Sequence, residues 1–63
     1  MENTVVKETI INSLIDSWSN HLKGLIEESK KDQPNEEEIV YYATQLTNIK
    51  EALKVYSIDP LNY

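Results

Sequence analysis

The chain has 63 residues and a formal net charge of −5, from 6 basic and 11 acidic side chains. That length allows one small domain with a marginal core, because short chains bury a small fraction of their surface. There is no cysteine and one histidine, which excludes disulfides and the usual zinc sites built from nitrogen and sulfur ligands. Stability must therefore come from regular helix packing or from self-association.

The charge balance also bears on partners and location. All six basic residues are lysine, so the bidentate arginine contacts common in nucleic-acid recognition are missing, and an acidic chain repels phosphates. The first eight residues lack the basic start and apolar run of a signal peptide, and no apolar stretch is long enough to span a membrane. We expect a soluble, cytoplasmic protein that binds neither nucleic acid nor membrane. Its richness in Asn, Lys and Ile is compatible with a bacterial or phage origin.

The first predicted helix covers about residues 4–31. Gly24 lies inside it, where glycine costs about 1 kcal/mol relative to alanine; we interpret it as a point at which another helix approaches closely. Lys30 and Lys31 are expected near the negative pole of the helix dipole. At 100° per residue the apolar side chains form one broad face, made of Ile11, Leu14, Ile15, Trp18, Leu22, Leu25 and Ile26.

A turn is predicted at about residues 32–35. A proline disfavours the helical conformation of the residue before it, so Pro34 ends the first helix. Asn35 is a favourable N-cap, with Glu38 three residues later as in a capping box, and Pro34 and Ile39 are spaced for a hydrophobic staple. The three glutamates from Glu36 could indicate a metal or partner site, but helix initiation explains them better.

The second predicted helix covers about residues 36–57 and has the clearest pattern in the chain. Its apolar residues are spaced alternately three and four apart, as at the a and d positions of a heptad repeat. The first helix has the same spacing, with His21 at its one polar position. Matching stripes joined by a short turn predict an antiparallel hairpin. The candidate seam of hairpin and dimer comprises Ile11, Leu14, Trp18, Leu22, Leu25, Ile39, Tyr42, Leu46, Ile49, Leu53 and Tyr56.

The predicted fold is therefore all-α: one antiparallel two-helix hairpin spanning residues 1–63. A single seam rarely offsets the conformational entropy lost on folding, so we expect two hairpins to pair as a homodimeric four-helix bundle. For the tail, residues 58–63, two alternatives stay open. It is frayed, or its apolar residues Ile58, Leu61 and Tyr63 fold back over the N-terminal overhang of the first helix, which carries Val5, Val6 and Ile10.

A second, weaker line of residues runs along the second helix away from the seam. It is either ordinary surface, since single exposed apolar residues are common, or a partner face, since tyrosine is favoured at interfaces. Two adjacent tyrosines on a helix point in different directions, so Tyr42 faces the seam and Tyr41 is available to a partner. The candidate partner face comprises Tyr41, Asn48, Ala52 and Val55.

No residue pattern predicts catalysis, a cofactor or a metal. There is no glycine-rich phosphate loop, calcium loop or nucleophile elbow, and His21 has no evident nucleophile or acid to act with. We interpret His21 as a histidine at the edge of the seam with its nitrogens reaching solvent, because an unpaired buried imidazole is costly. The alternative is a pH-sensitive interface, since histidine titrates near neutrality.

Three functions compete. The first is a small acidic regulator or inhibitor that docks a helical face on a larger protein, for which apolar helical spacing is suited. The second is a self-assembling structural homodimer. The third and weakest is RNA binding by a hairpin dimer. The repressor-of-primer protein has that architecture and a similar size, but no residue-level match supports the analogy, and shared fold is a poor guide to function.

Overall fold

The computed structural model describes residues 2–62, with side chains from residue 4 onward. Two α-helices, α1 (Glu2–Ser29) and α2 (Glu36–Lys54), are followed by a short 3₁₀ helix, Pro60–Asn62. No strand occurs within residues 2–62, so the prediction of an all-α chain is confirmed.

Three contacts show that the two helices run antiparallel. Next to the connection, Glu28 binds the backbone of Asn35. Further along, Gly24 lies against the ring of Tyr42, and at the far end Ile11 shares a core cluster with Leu53. The molecule measures 50 × 19 × 15 Å. This arrangement is consistent with a helical hairpin one layer thick.

The connection between the helices differs from the sequence prediction at the end of α1. That helix ends at Ser29, before the predicted end at residue 31, and Lys30 and Lys31 follow directly after it. Their interaction with the helix dipole stays a prediction. The Lys31 ammonium donates to Glu28 Oε1 at 2.9 Å.

Asn35 begins α2 as predicted. Its side-chain oxygen accepts hydrogen bonds from the backbone N–H groups of Glu37 at 2.9 Å and Glu38 at 3.3 Å, satisfying two donors that a helix leaves unpaired. The reciprocal half of the capping box is wrong. The backbone N–H of Asn35 donates to Glu28 Oε2 at 2.9 Å, so a residue of α1 occupies the place expected for Glu38.

The core of the hairpin is small and lies toward the end away from the connection. Ile11, Ile49 and Leu53 form a buried cluster, and Leu46 is also buried. Leu53 is the most enclosed of these, at 0% exposure. The cluster is bordered by partly buried side chains, namely Leu14, Ile15, Trp18, Tyr56 and Ile58.

A tight turn terminates α2 at Lys54, before the predicted end at residue 57. Ser57 has a φ of 60°, its N–H donates to the carbonyl of Lys54 at 2.9 Å, and the Ile58 N–H donates to the carbonyl of Leu53 at 3.1 Å. These are the two hydrogen bonds of a Schellman motif, in which a left-handed residue reverses the chain after the helix. The accompanying apolar contact is present too, because Ile58 packs on the cluster that contains Leu53.

The tail was predicted either to fray or to fold back, and its residues differ in which of these they do. Ile58 folds back against the core. Asp59 then caps the 3₁₀ helix, its Oδ1 accepting from the Leu61 N–H at 3.0 Å, with Pro60 at the first helical position, where its missing N–H costs nothing. Leu61 is 69% exposed, so the alternative in which the tail folds over α1 does not hold for this residue. Tyr63 lies outside the described residues.

Candidate interaction surface

The eleven residues of the predicted seam all face inward to some degree. Four are buried, and the others are half-buried. The buried residues lie mainly at the core, toward the end of the hairpin away from the connection. Several of the half-buried residues lie nearer the connection, where part of their apolar surface contacts solvent. The buried four are Ile11, Leu46, Ile49 and Leu53; the half-buried seven are Leu14, Trp18, Leu22, Leu25, Ile39, Tyr42 and Tyr56.

Gly24 leaves room for the ring of Tyr42 from the other helix. A Cβ atom built on Gly24 would lie 2.6 Å from two ring carbons of Tyr42, closer than van der Waals contact allows. The interpretation of Gly24 as a packing position is therefore confirmed. The Tyr42 ring lies across α1 at this point.

Tyr42 belongs to a small aromatic group on one side of the hairpin. Its ring centroid is 5.4 Å from that of Tyr41 and 6.2 Å from that of His21, and the Tyr41 and His21 centroids are 6.0 Å apart. Tilted and edge-on geometries at these separations are favourable. The group restrains the ring of Tyr41, which is nevertheless 50% exposed.

His21 is half-buried, and its Nδ1 lies 2.7 Å from the carbonyl oxygen of Ser17. Since a carbonyl only accepts, Nδ1 carries the proton and donates. Nδ1 is thus paired within α1. The bond fixes the imidazole against α1, where it supports the ring of Tyr41.

The four residues of the predicted partner face, called here the Tyr41 face, lie within about 60° of one another around α2 at 100° per residue. Tyr41 is 50% and Val55 79% exposed, Asn48 is exposed, and Ala52 is half-buried. None of the four is charged. A shallow open depression adjoins this face, lined by Asn35, Glu37, Glu38 and Tyr41.

A second uncharged surface lies on the other side of the two-helix layer. It is formed by Ile15, Leu22 and Ile26, which lie roughly 100° to 140° around α1 from His21. The ring of His21 lies on the same side of the layer as Tyr41. Ile15 and Leu22 are half-buried and Ile26 is 46% exposed. With Ser19 between them, these residues are called the Ile26 stripe. Sequence reasoning placed its apolar members on the broad apolar face of the first helix and assigned one of them, Leu22, to the seam as well.

Glu28 is the important side chain that sequence reasoning missed. It is 7% exposed, although it is charged. The backbone N–H of Asn35, and secondly the ammonium of Lys31, hold the pKa of its carboxyl below the ordinary value. Its partner Asn35 is seven residues away, so no short-range sequence pattern signals the contact. Glu28 connects the end of α1 to the cap of α2 and fixes how the helices leave the turn.

Within residues 2–62, no three His, Cys, Asp or Glu side chains are grouped to hold a metal ion. Neither α1 nor α2 offers an apolar stretch long enough to cross a membrane. No protein-family model matches the sequence, and comparisons with curated proteins and with solved structures gave no match.

Proposed function

We propose that this protein is a small, non-enzymatic protein-binding module that docks its Tyr41 face on a larger protein and thereby regulates or inhibits it. The observation that carries the proposal is the half-exposed ring of Tyr41, held by Tyr42 and His21. Binding costs less entropy when an aromatic side chain is already restrained, which is why rigid tyrosines are favoured contact residues.

The rest of the Tyr41 face supports this function. Val55 adds exposed apolar area, and Asn48 adds a polar group able to donate and accept hydrogen bonds. The net charge of −5 favours a basic partner, since complementary charge speeds association. The lack of cysteine is compatible with a cytoplasmic location.

The experiment is affinity capture from the source cell with three immobilised forms of the chain. We expect wild type to retain a stoichiometric protein, Tyr41→Ser to lose it, and Val40→Ser to retain it. Val40 is the matched control because it is 63% exposed and lies about 100° around α2 from Tyr41. Retention by Tyr41→Ser, or the absence of any stoichiometric protein, would reject the proposal.

The alternative function is a self-assembling structural homodimer, a four-helix bundle that is itself the functional unit. The two functions are compatible when the dimer leaves the Tyr41 face open. RNA binding by such a dimer is the weaker alternative, because the chain has no arginine and its net charge is negative. Tight, salt-sensitive RNA binding would favour it over the others.

A further inference from the structure

We infer that the Ile26 stripe is covered by a second copy of this chain, with the two α1 helices packed antiparallel across a two-fold axis. The inference concerns the side of the layer away from Tyr41. It therefore stands or falls separately from docking of the Tyr41 face on another protein.

The hairpin exposes more surface than a compact protein of its mass. The chain exposes 4959 Å², whereas a compact monomer of 7.3 kDa exposes about 4160 Å². The excess is about 800 Å², which is close to the area that each partner buries in a standard protein interface. A second hairpin laid along the molecule would cover an area of that size.

The spacing of residues along the Ile26 stripe also suits a two-fold interface. Ile15, Ser19, Leu22 and Ile26 are spaced four, three and four residues apart, which reads the same in both directions. When two such helices pack antiparallel, Ile15 lies opposite Ile26 of the second copy, and Ser19 lies opposite Leu22. A two-fold interface requires a self-complementary surface of this kind.

The charged residues beside the stripe are also placed as this antiparallel register requires. Asp16 and Lys23 border the stripe on one flank, roughly 70° to 90° around α1 from its centre. In the antiparallel arrangement, Asp16 of one copy lies within about two residues of the level of Lys23 of the other. Two opposite-charge pairs result, related by the axis, as at the positions that flank a coiled-coil seam.

The small core of the hairpin favours a second copy as the occupant. Among the described residues, four hydrophobic side chains are buried, which is a small core for a domain of this length. A face whose covering contributes to folding must be covered wherever the chain is folded. Only another molecule of the same chain is present whenever the chain is.

The first test measures self-association by sedimentation equilibrium. We expect a dimer at micromolar concentration, a dissociation constant raised at least about tenfold by Ile26→Asp because a carboxylate would be desolvated twice per dimer, and no change with Val40→Asp. Asp16→Lys should weaken the dimer, and adding Lys23→Asp should restore it. A helical monomer at tens of micromolar, or a dimer that Ile26→Asp does not weaken, would overturn the inference.

The second test reads the register and does not depend on the stability of the Ile26→Asp variant. The chain has no cysteine, so single cysteines can be introduced as Ile15→Cys and Ile26→Cys. We expect a disulfide when the two variants are mixed and oxidised, but little in either alone, because equal positions lie about 16 Å apart along the axis, beyond disulfide reach. Disulfides within each separate variant, and none in the mixture, would contradict the antiparallel register.

Discussion

Gly24 and Tyr42 form a close contact between the two helices. Glycine is unfavourable inside a helix by about 1 kcal/mol relative to alanine, yet here it makes room for an aromatic ring from the other helix. The ring then supports Tyr41, so a packing position inside the hairpin determines the geometry of the proposed docking face.

The pair gives a double-mutant prediction. Gly24→Ala should leave the free energy of unfolding nearly unchanged in wild type, because displacement of the outer end of the Tyr42 ring offsets the gain of about 1 kcal/mol in helix propensity. In a Tyr42→Ala background the same change should raise it by about 1 kcal/mol. Urea unfolding of the four proteins measures both values. An equal effect of Gly24→Ala in the two backgrounds would contradict the contact.

Ser57 gives a second prediction at the residue scale. Its φ of 60° is unfavourable for a residue with a Cβ, by about 1 kcal/mol relative to glycine. Ser57→Gly should therefore stabilise the protein by roughly that amount. Ser13→Gly, at an exposed position within α1, should instead destabilise it by about 0.5 kcal/mol. Thermal unfolding of both variants checks the contrast; a loss of stability in both would argue against the left-handed turn.

At the scale of the elements, the connection between α1 and α2 determines the hairpin. Asn35 caps α2 with its side chain, while its backbone N–H is held by Glu28 from α1. Two helices are thus tied together through one residue. The cap and the carboxylate can be tested separately.

Removal of the cap should weaken the hairpin by about 1 kcal/mol, the usual cost of replacing a good N-cap by alanine. Asn35→Ala should show this loss in denaturant unfolding, whereas Asn35→Asp, which keeps an acceptor oxygen, should retain most of the stability. Equal losses in the two variants would mean that the side-chain oxygen does not cap α2.

Glu28 should make stability depend on pH. Its pKa is lowered in the folded state, so its contribution is fully present above the unfolded value of about 4.3 and is lost as the pH falls through the lower folded value. Glu28→Gln should therefore lower the melting temperature at pH 7, and the difference from wild type should shrink toward pH 2. Glu27→Gln, at an exposed neighbouring position, serves as the control. A difference that stays constant with pH would contradict the role of the charge.

Across the whole molecule, the sequence predicted the features that depend on residues close together in the chain. Pro34 and Asn35 marked the turn and the start of α2, and the spacing of apolar residues predicted two antiparallel helices. The sequence did not reveal the contact of Glu28 with Asn35, because a hydrogen bond between separate elements has no short-range pattern. It also did not predict the turn at Ser57, because serine rarely adopts a left-handed conformation.

The candidate surfaces were predictable in part for a related reason. Spacing placed Tyr41 away from the seam, but it did not show that Tyr42 and His21 would pack against its ring, since that depends on how the helices cross. Of the Ile26 stripe, Leu22 was assigned to the seam as well, because a helical wheel cannot tell which part of a broad apolar face the second helix covers. In the structure Ile15 borders the core cluster, whereas Ile26 is 46% exposed.

The most direct test of the central claim, that this thin hairpin is completed by a second copy, is the dependence of thermal unfolding on protein concentration. Folding coupled to dimerisation must follow mass action. We predict that the melting temperature rises by several degrees over a hundredfold increase in concentration, with a folded mass of twice 7.3 kDa. A melting temperature that does not change with concentration, together with a folded mass of 7.3 kDa, would contradict the account.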